Sequence, residues 1–179
     1  MIIGLAGTLA AGKGTVAEYL IGRGFKFYSL SDELRLLLRE KGFMPTRDNL
    51  TKAGNTLRAK HGPGFLAELI IKRLRGSPSV TNSVVDSIRN TGEIAVLREL
   101  KHFFLVAVDA PVDIRYERAK KRGTERDPKS FSEFLAQEKR EMAGKSTEQQ
   151  LAACIKEADF VINNESDYKN LYKQIEKVL

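Results

Sequence analysis

Residues 7–15 read GTLAAGKGT and contain the spacing G-x-x-x-x-G-K, with Gly7, Gly12 and Lys13 at its fixed positions. Glycines at this spacing let successive backbone N–H groups turn toward a phosphate chain, and the lysine then reaches the terminal phosphates. The dipole of a helix that begins after the loop adds positive potential at the same place. The stretch therefore predicts a phosphate-binding loop. The alternative is a glycine-rich turn that only packs a helix on a strand.

The segments on either side of this loop favour the first interpretation. Residues 1–6 (MIIGLA) form a short apolar run without alternation, which is typical of a strand buried on both faces. Residues 16–21 read as the following helix. The chain therefore opens with a strand, a glycine loop and a helix.

Apolar strands and helical segments alternate along the rest of the chain, which predicts right-handed βαβ units and a parallel sheet covered on both faces. The predicted fold class is α/β, a three-layer sandwich with a five-stranded parallel sheet. The predicted later strands are 25–29, 83–86, 103–108 and 160–162, and the predicted later helices are 32–40, 48–60, 64–74, 92–100, 114–122, 130–142 and 168–178.

The composition excludes several other classes of protein. The 179 residues, with 42% hydrophobic and 30% charged side chains, suit one folded domain and exclude intrinsic disorder. The longest apolar runs fall far short of the ~20 residues that cross a bilayer, and no signal peptide is recognised. With Cys154 as the only cysteine, no internal disulfide is possible, and a reducing cytoplasm is expected. The net charge of +7 favours anionic partners, and it fits nucleotides, nucleic acid or merely a soluble surface equally well.

The end of the loop carries a family resemblance. Gly14 stands where the usual motif has the serine or threonine that holds magnesium, and Thr15 follows it. This GKGT ending resembles adenylate kinase and the related nucleoside monophosphate kinases. The resemblance implies a P-loop kinase fold, ATP and Mg²⁺ as cofactors, and a metal held largely through water. The residues that it implies for the phosphates of ATP are Gly7, Ala10, Ala11, Gly12, Lys13, Gly14 and Thr15.

Residues 29–35 (SLSDELR) are similar to the S-T-G-D-x-L-R segment of adenylate kinases. The resemblance implies that Arg35 binds the phosphate of the acceptor nucleotide, with Asp32 beside it. Leu30 and Ser31 replace the family's threonine and glycine, which leaves the acceptor base open. From the residues alone, Asp32 and Arg35 also fit an acid at a helix start and a surface base.

Residues 86–89 (DSIR) resemble the D-G-F-P-R of adenylate kinases, shortened by one residue. An aspartate at the carboxyl end of a strand beside the loop can hold the water shell of Mg²⁺, so Asp86 is the expected metal residue. Arg89 is expected to clamp the transferring phosphoryl group. The alternative is that Asp86 only ends a strand and that Arg89 is a surface residue.

Residues 113–122 match the D-x-x-x-x-R-x-x-x-R that begins the lid of adenylate kinases. The resemblance implies that Arg118 lies over the ATP base and that Arg122 meets phosphate. Arg115 falls three residues before Arg118, so a helix would carry Arg115, Arg118 and Arg122 along one face. Such a stripe is otherwise a solvated surface.

Two further arginines, Arg126 and Arg140, fall where the family carries phosphate-clamping arginines. The family's four-cysteine lid is absent, so a short lid over residues 113–130 is expected. The resemblance thus divides one kinase domain, residues 1–179, into a core (1–30, 80–112 and 150–179), an acceptor-binding helical part (31–79) and this lid.

Residues 158–164 (ADFVINN) resemble a segment of dephospho-CoA kinase near the adenine of ATP, which implies a donor contact for Asn163. Residues 58–64 (RAKHGPG) and 86–89 together look like an uncharacterised archaeal group related to adenylate kinase and dephospho-CoA kinase. Arg58 lies where an acceptor could bind, although a helix surface explains it equally well.

The resulting hypothesis is an ATP-dependent phosphotransferase that moves the γ-phosphoryl of MgATP to a nucleoside or deoxynucleoside monophosphate. Lys13, Arg89, Arg122 and Arg126 are its expected catalytic residues, because positioning and positive charge supply most of the catalysis in phosphoryl transfer. Dephospho-CoA kinase is the nearest alternative. The alternative of another class is an ATP-dependent RNA-binding or assembly factor. It is not favoured, because residues 115–126 contain a single aromatic side chain, Tyr116. The expected partners are small nucleotides and no membrane.

Overall fold

A computed structural model describes residues 1–76, 82–124 and 127–179. Its strands are β1 (Ile2–Gly7), β2 (Lys26–Ser29), β3 (Ser83–Asp86), β4 (Phe103–Asp109) and β5 (Phe160–Asn163). Its helices are α1 (Lys13–Gly22), α2 (Leu30–Glu40), α3 (Arg47–His61), α4 (Phe65–Arg75), α5 (Thr91–Leu97), α6 (Val112–Arg122), α7 (Phe131–Met142), α8 (Leu151–Lys156) and α9 (Tyr168–Glu176).

The five strands form one parallel sheet in the order β2-β3-β1-β4-β5. The chain crosses from β1 to the outer strand β2, returns through β3 and then continues on the other side of β1 with β4 and β5. The carboxyl end of β1 therefore lies between the ends of β3 and β4. In open parallel sheets, ligands bind at the point where the strand order reverses in this way.

Alternate residues of β1 enter two separate cores, which makes the fold a three-layer sandwich. Ile2 and Ala6 pack in a cluster with side chains of α2, α4, α5 and α8. Ile3 and Leu5 pack on the opposite face with α1 and α9. Because successive side chains of a strand point to opposite faces, this apolar strand is covered on both sides. The predicted fold class is confirmed.

The sequence analysis missed one helix, α8. Its six residues are too few to show helical periodicity, yet Leu151 and Cys154 are fully buried at a spacing of three. α2 also begins at Leu30, directly after β2 and two residues earlier than predicted. Among the described residues, no helix has both the length and the apolar character needed to cross a membrane.

Candidate functional site

The loop between β1 and α1 lies at the carboxyl edge of the sheet, and two of its glycines are required there. Gly7 has φ +144° and a Cβ at this position would lie 2.0 Å from the carbonyl oxygen of Val108. Gly12 has φ +104° and a Cβ would lie 2.1 Å from Nδ2 of Asn164. Both conformations are ones that side chains rarely adopt. The loop therefore presents bare backbone to the space above the sheet.

Lys13 folds back over this loop. Its ammonium group donates hydrogen bonds to the carbonyl oxygens of Gly7 (2.6 Å) and Thr8 (2.9 Å). Removal from water lowers the pKa of Lys13 to about 8, and the charge of Asp86 opposes this shift while Arg89 adds to it. The charges of Glu141 and Arg47 also act on this amine. Both side chains therefore lie near the lysine, although neither belongs to the loop.

A cleft of about 1100 Å³ opens between the loop and the helices α2 and α3. It brings together most of the residues that the sequence singled out. Those lining it are Gly7, Ala10, Ala11, Gly12, Lys13, Gly14, Thr15, Arg35, Arg58, Asp86, Arg89, Arg118 and Arg122. Residues that the sequence analysis did not select also line it, namely Arg47, Glu141, Gln149, Asn164 and Tyr168.

Asp86 ends β3 next to the loop, and one of its oxygens has no hydrogen-bond partner among the described residues. Its Oδ2 accepts a hydrogen bond from Oγ of Ser87 (3.1 Å). Its Oδ1 is buried and accepts none from the described residues. A buried carboxylate oxygen without a donor is costly in an empty site. Such an oxygen fits Mg²⁺ or its water shell, because hard cations prefer oxygen ligands.

Glu141, near the end of α7, is buried on the far side of the cleft between two arginines. Its Oε1 accepts from Nε (3.1 Å) and Nη2 (2.5 Å) of Arg47, the first residue of α3. Its Oε2 accepts from Nη1 of Arg89 (3.0 Å). Burial raises the pKa of Glu141, but the charges of Arg89 and Arg47 outweigh it, so that the pKa is lowered. The group is therefore an anion that holds two cations.

Arg58, predicted to bind substrate, lies instead in a fully buried ion pair. Its Nε and Nη2 donate to Oε1 of Glu93 at 3.0 and 2.7 Å, and the two side chains are 3% and 0% exposed. Oε2 of Glu93 accepts from the backbone N–H groups of Arg89 (2.8 Å) and Asn90 (3.1 Å). The guanidinium is thus committed to a carboxylate that holds the loop after β3.

Arg35 lines the cleft and forms a short ion pair with Asp32, one turn earlier on α2. The side chain of Asp32 is 55% exposed and does not line the cleft. Arg35 therefore faces the cleft, whereas Asp32 lies outside it.

The arginines of α6 have three different environments. Nη1 of Arg118 lies 3.5 Å from the carbonyl oxygen of Ala11 in the loop. Arg122 forms a bidentate pair with Asp127, whose pKa burial would raise, but the hydrogen bonds from Arg122 and Thr124 lower it to about 2. Arg115 is buried and paired with Glu138. The interpretation of Arg115 as part of a basic stripe with Arg118 and Arg122 is therefore corrected.

Besides Asp32, three predicted site residues lie outside the cleft or outside the described chain. The backbone N–H and carbonyl oxygen of Asn163 pair with the side chain of Gln174 on α9 at 3.0 Å each, and its own side chain is exposed. Its neighbour Asn164 is the buried one, and its Nδ2 donates to the carbonyl oxygen of Ala11 (2.8 Å). Arg140 is exposed and lines a second cavity. Arg126 lies outside the described residues.

Of the residues that the sequence analysis missed, Glu141 carried a usable signal. It follows the buried Phe134 and Gln137 at helical spacing, so that a charged residue stands on the inner face of α7. Arg47 carried no such signal, because it is the first residue of its helix. Tyr168 begins α9 beside the loop and is 66% exposed, with its ring stacked near that of Tyr172.

Comparisons with known proteins give a matching family model and relatives that align with the whole chain. The family model described as "AAA domain" matches residues 3–143. A UPF0200 protein of Pyrococcus horikoshii is 32% identical over 183 residues, covering 100% of this chain and 96% of that protein. A UPF0200 protein of Pyrobaculum aerophilum is 33% identical over 180 residues, covering 99% of this chain and 96% of that protein.

Solved structures share the fold. The crystal structure of TT1252 from Thermus thermophilus has a TM-score of 0.65 at 22% identity, covering 99% of this chain and 95% of that chain. Shikimate kinase from Bacteroides thetaiotaomicron has a TM-score of 0.57 at 15% identity, covering 99% of this chain and 96% of that chain. At these identities the likeness concerns the fold, which is that of P-loop kinases.

Proposed function

The chain belongs to the AAA domain family and to the UPF0200 family, and from this premise we propose that it is a P-loop kinase acting on nucleotides. It moves the γ-phosphoryl of MgATP to a nucleoside or deoxynucleoside monophosphate. The observation that carries the proposal is one cleft in which the glycine loop and Lys13 face arginines from α2, α3 and the loop after β3. Cations on both sides suit a reaction between two phosphates.

The donor side of the cleft is the glycine loop. The backbone of Gly7, Ala10, Ala11, Gly12 and Gly14, with Lys13 and Thr15, binds the phosphates of ATP. Arg118 approaches the loop from α6, and Asn164 approaches it from the end of β5. Both reach the carbonyl oxygen of Ala11, so the space beside them is the proposed site of the ATP base. Asn164 takes the place that the sequence analysis gave to Asn163.

Asp86 is the proposed magnesium residue, acting through water. The metal supplies charge neutralisation between the β- and γ-phosphates when the nucleotide is bound. The buried, unpartnered Oδ1 of Asp86 supports this assignment. The 3.1 Å hydrogen bond from Ser87 fixes the other oxygen and orients the carboxylate.

The acceptor side combines one half-buried cation with an apolar wall. Arg35 is proposed to bind the acceptor phosphate. Beside it the cleft is lined by Leu34, Leu50 and Gly54. A Cβ at Gly54 would lie 3.4 Å from Cδ1 of Leu34, so a larger residue would narrow the space between α2 and α3. An apolar slot next to a phosphate-binding cation suits a flat base better than a polyol.

Transfer proceeds by attack of an acceptor phosphate oxygen on the γ-phosphorus, while the bond from that phosphorus to the β–γ bridging oxygen breaks and ADP leaves. Lys13 and Arg89 stabilise the charge that spreads over the transferring group. No general base is required, because a phosphate oxygen is already an anion near neutral pH. Arg126 is proposed, from the sequence alone, as a further arginine that binds phosphate.

Arg122 is the proposed lid arginine, and its present ion pair must change when the lid closes. It is paired with Asp127, which follows α6 in the chain. The pair must open, or turn as a unit, before the guanidinium can meet phosphate. Closure of this kind excludes water and protects ATP from hydrolysis.

Dephospho-CoA is the second candidate acceptor, and one observation favours it. The cleft continues past Arg35 and Arg47 into a second cavity of about 1150 Å³, lined also by Met44 and Pro45. An acceptor longer than a mononucleotide would fit there. Against it stands Arg35, because the ribose hydroxyl of dephospho-CoA needs no cation at the point of attack.

The test is a screen of ATP consumption against all nucleoside and deoxynucleoside monophosphates and dephospho-CoA. Consumption that depends on a monophosphate and is lost in Lys13→Ala supports the proposal. Consumption that depends on dephospho-CoA alone supports the second candidate. ATP hydrolysis that no acceptor stimulates contradicts both.

A further inference from the structure

The carboxylate of Glu141 joins two arginines that come from different parts of the chain. Arg47 begins α3, and Arg89 lies in the loop after β3. Glu141 is 94 residues from the first and 52 residues from the second. Gln137, one turn earlier on α7, donates to the same Oε1 from Nε2 (3.1 Å). One buried anion thus fixes two cations, and a neighbouring amide fixes the anion.

Each arginine uses only part of its guanidinium for this contact. Arg47 binds Glu141 through Nε and Nη2, and Arg89 binds it through Nη1. Nη1 of Arg89 also donates to Oε1 of Gln149 (3.2 Å). Within the described part of the chain, Nη1 of Arg47 and both Nε and Nη2 of Arg89 have no partner. Both arginines line the cleft that holds the glycine loop.

Two guanidinium groups on one carboxylate would repel each other without it. Burial lowers the pKa of Arg47, and the charge of Arg89 lowers it further while Glu141 opposes this effect. Arginine side chains are long, so an unbound pair would separate into different rotamers. The carboxylate removes that freedom and leaves the opposite edges of both groups available for a second anion.

We propose that Glu141 is a positioning residue that holds Arg47 and Arg89 side by side, with their unbound edges toward the phosphates. Arg47, which no motif assigned, then contacts the acceptor phosphate or the transferring phosphoryl group together with Arg89. This inference rests on the proposed function, because it needs a second phosphate opposite the loop. Arg47, in the first turn of α3, thus joins the arginines already proposed to contact phosphate.

The opposite role is that Glu141 blocks the two arginines, because its carboxylate stays bound to them until a phosphate displaces it. The two roles predict opposite changes in ligand affinity when Glu141 is neutralised. If Glu141 positions the arginines, its neutralisation weakens binding of a ligand that spans both phosphate sites. If it blocks them, the same change strengthens binding.

The test uses two probes that do not depend on catalysis. ADP occupies the donor side alone, and diadenosine pentaphosphate carries phosphates across both sides. Their dissociation constants are measured by calorimetry for the wild-type chain and for Glu141→Gln, Glu141→Asp and Arg47→Ala. Glu138→Gln is the matched control, because Glu138 also lies on α7 and pairs with a buried arginine, Arg115, but does not line the cleft.

In Glu141→Gln the preference for diadenosine pentaphosphate over ADP should fall by about tenfold or more, the value of one or two charge-assisted hydrogen bonds. Glu141→Asp should restore part of it. Glu138→Gln should lower the melting temperature while keeping the preference within about twofold. Arg47→Ala should lose a similar factor, and Arg47→Ala with Glu141→Gln should lose less than the product of the two single losses.

Different outcomes would overturn the proposed acceptor site and the positioning role of Glu141. A wild-type chain that prefers neither diadenosine pentaphosphate nor the pentaphosphates that join adenosine to another nucleoside overturns the proposed acceptor site and this inference with it. A clear wild-type preference that survives in Glu141→Gln, that increases in it, or that falls by the full product in the double variant overturns the inference alone.

Discussion

The buried pair of Arg58 and Glu93 yields the sharpest prediction about stability. Arg58→Ala leaves a carboxylate that is 0% exposed without its cation. Removal of one partner from a buried ion pair costs about 3–5 kcal/mol. In a domain of this size each kcal/mol lowers the melting temperature by about 2–4 °C, so a fall of roughly 6–20 °C is expected.

The assay is thermal unfolding followed by circular dichroism, with phosphotransfer measured in parallel. Arg73→Ala is the matched control, because Arg73 lies on the neighbouring helix α4 and pairs with Glu33 at 2.7 Å while 52% exposed. Because the Arg73 guanidinium stays half in water after pairing, its removal should cost about 1 kcal/mol or less. If Arg58→Ala melts like Arg73→Ala and only raises the KM of the acceptor, Arg58 is a substrate contact and the structural reasoning is refuted.

Three further predictions concern the cleft itself. Because the pKa of Lys13 is lowered to about 8, its charge is present below that pH and is lost above it. ADP affinity should therefore fall above pH 8 by up to about tenfold per pH unit. Lys13→Arg should flatten this dependence of ADP affinity on pH, because arginine keeps its charge. A wild-type affinity that stays constant from pH 7 to 9.5 contradicts this. Arg35→Ala should raise the acceptor KM and lower kcat without changing the dissociation constant for ADP, and a loss of ADP binding would place Arg35 on the donor side. Diadenosine pentaphosphate should slow hydrogen exchange in residues 118–124, since Arg118 closes on the base and Arg122 on phosphate; equal exchange with and without it would exclude the lid.

The parts of the fold that depend on local spacing could be predicted from the sequence. The G-x-x-x-x-G-K spacing placed Gly7, Gly12 and Lys13 on one loop, and the unbroken apolar run of β1 indicated a strand buried on both faces. Such features are fixed by residues within a few positions of one another. They need no knowledge of what packs against them.

The partners of the buried charges could not be predicted in the same way. Arg58 and Glu93 are 35 residues apart, and Arg47 and Glu141 are 94 apart. An arginine on a helix has the same local sequence signal whether it meets substrate or carboxylate. Tertiary packing determines which of the two it meets, and both Arg58 and Arg115 are paired with carboxylates.

The end of β5 shows how one residue changes an assignment. Asn163 and Asn164 are adjacent, and neighbouring side chains of an extended segment face opposite ways. Nδ2 of Asn164 reaches the loop, while the side chain of Asn163 is exposed. The resemblance located the segment, but the side chain that reaches the cleft depends on the strand's register with β4.

The central claim is that the γ-phosphoryl of ATP passes to a nucleoside monophosphate in this cleft. Its most direct measurement is transfer of labelled phosphate from γ-³²P ATP, with the products separated by chromatography, for the wild-type chain and Lys13→Ala. The account predicts label in a nucleoside diphosphate in the wild type and a loss of about 10²-fold or more in the variant. Label that appears only as inorganic phosphate, or an equal yield from Lys13→Ala, would contradict it.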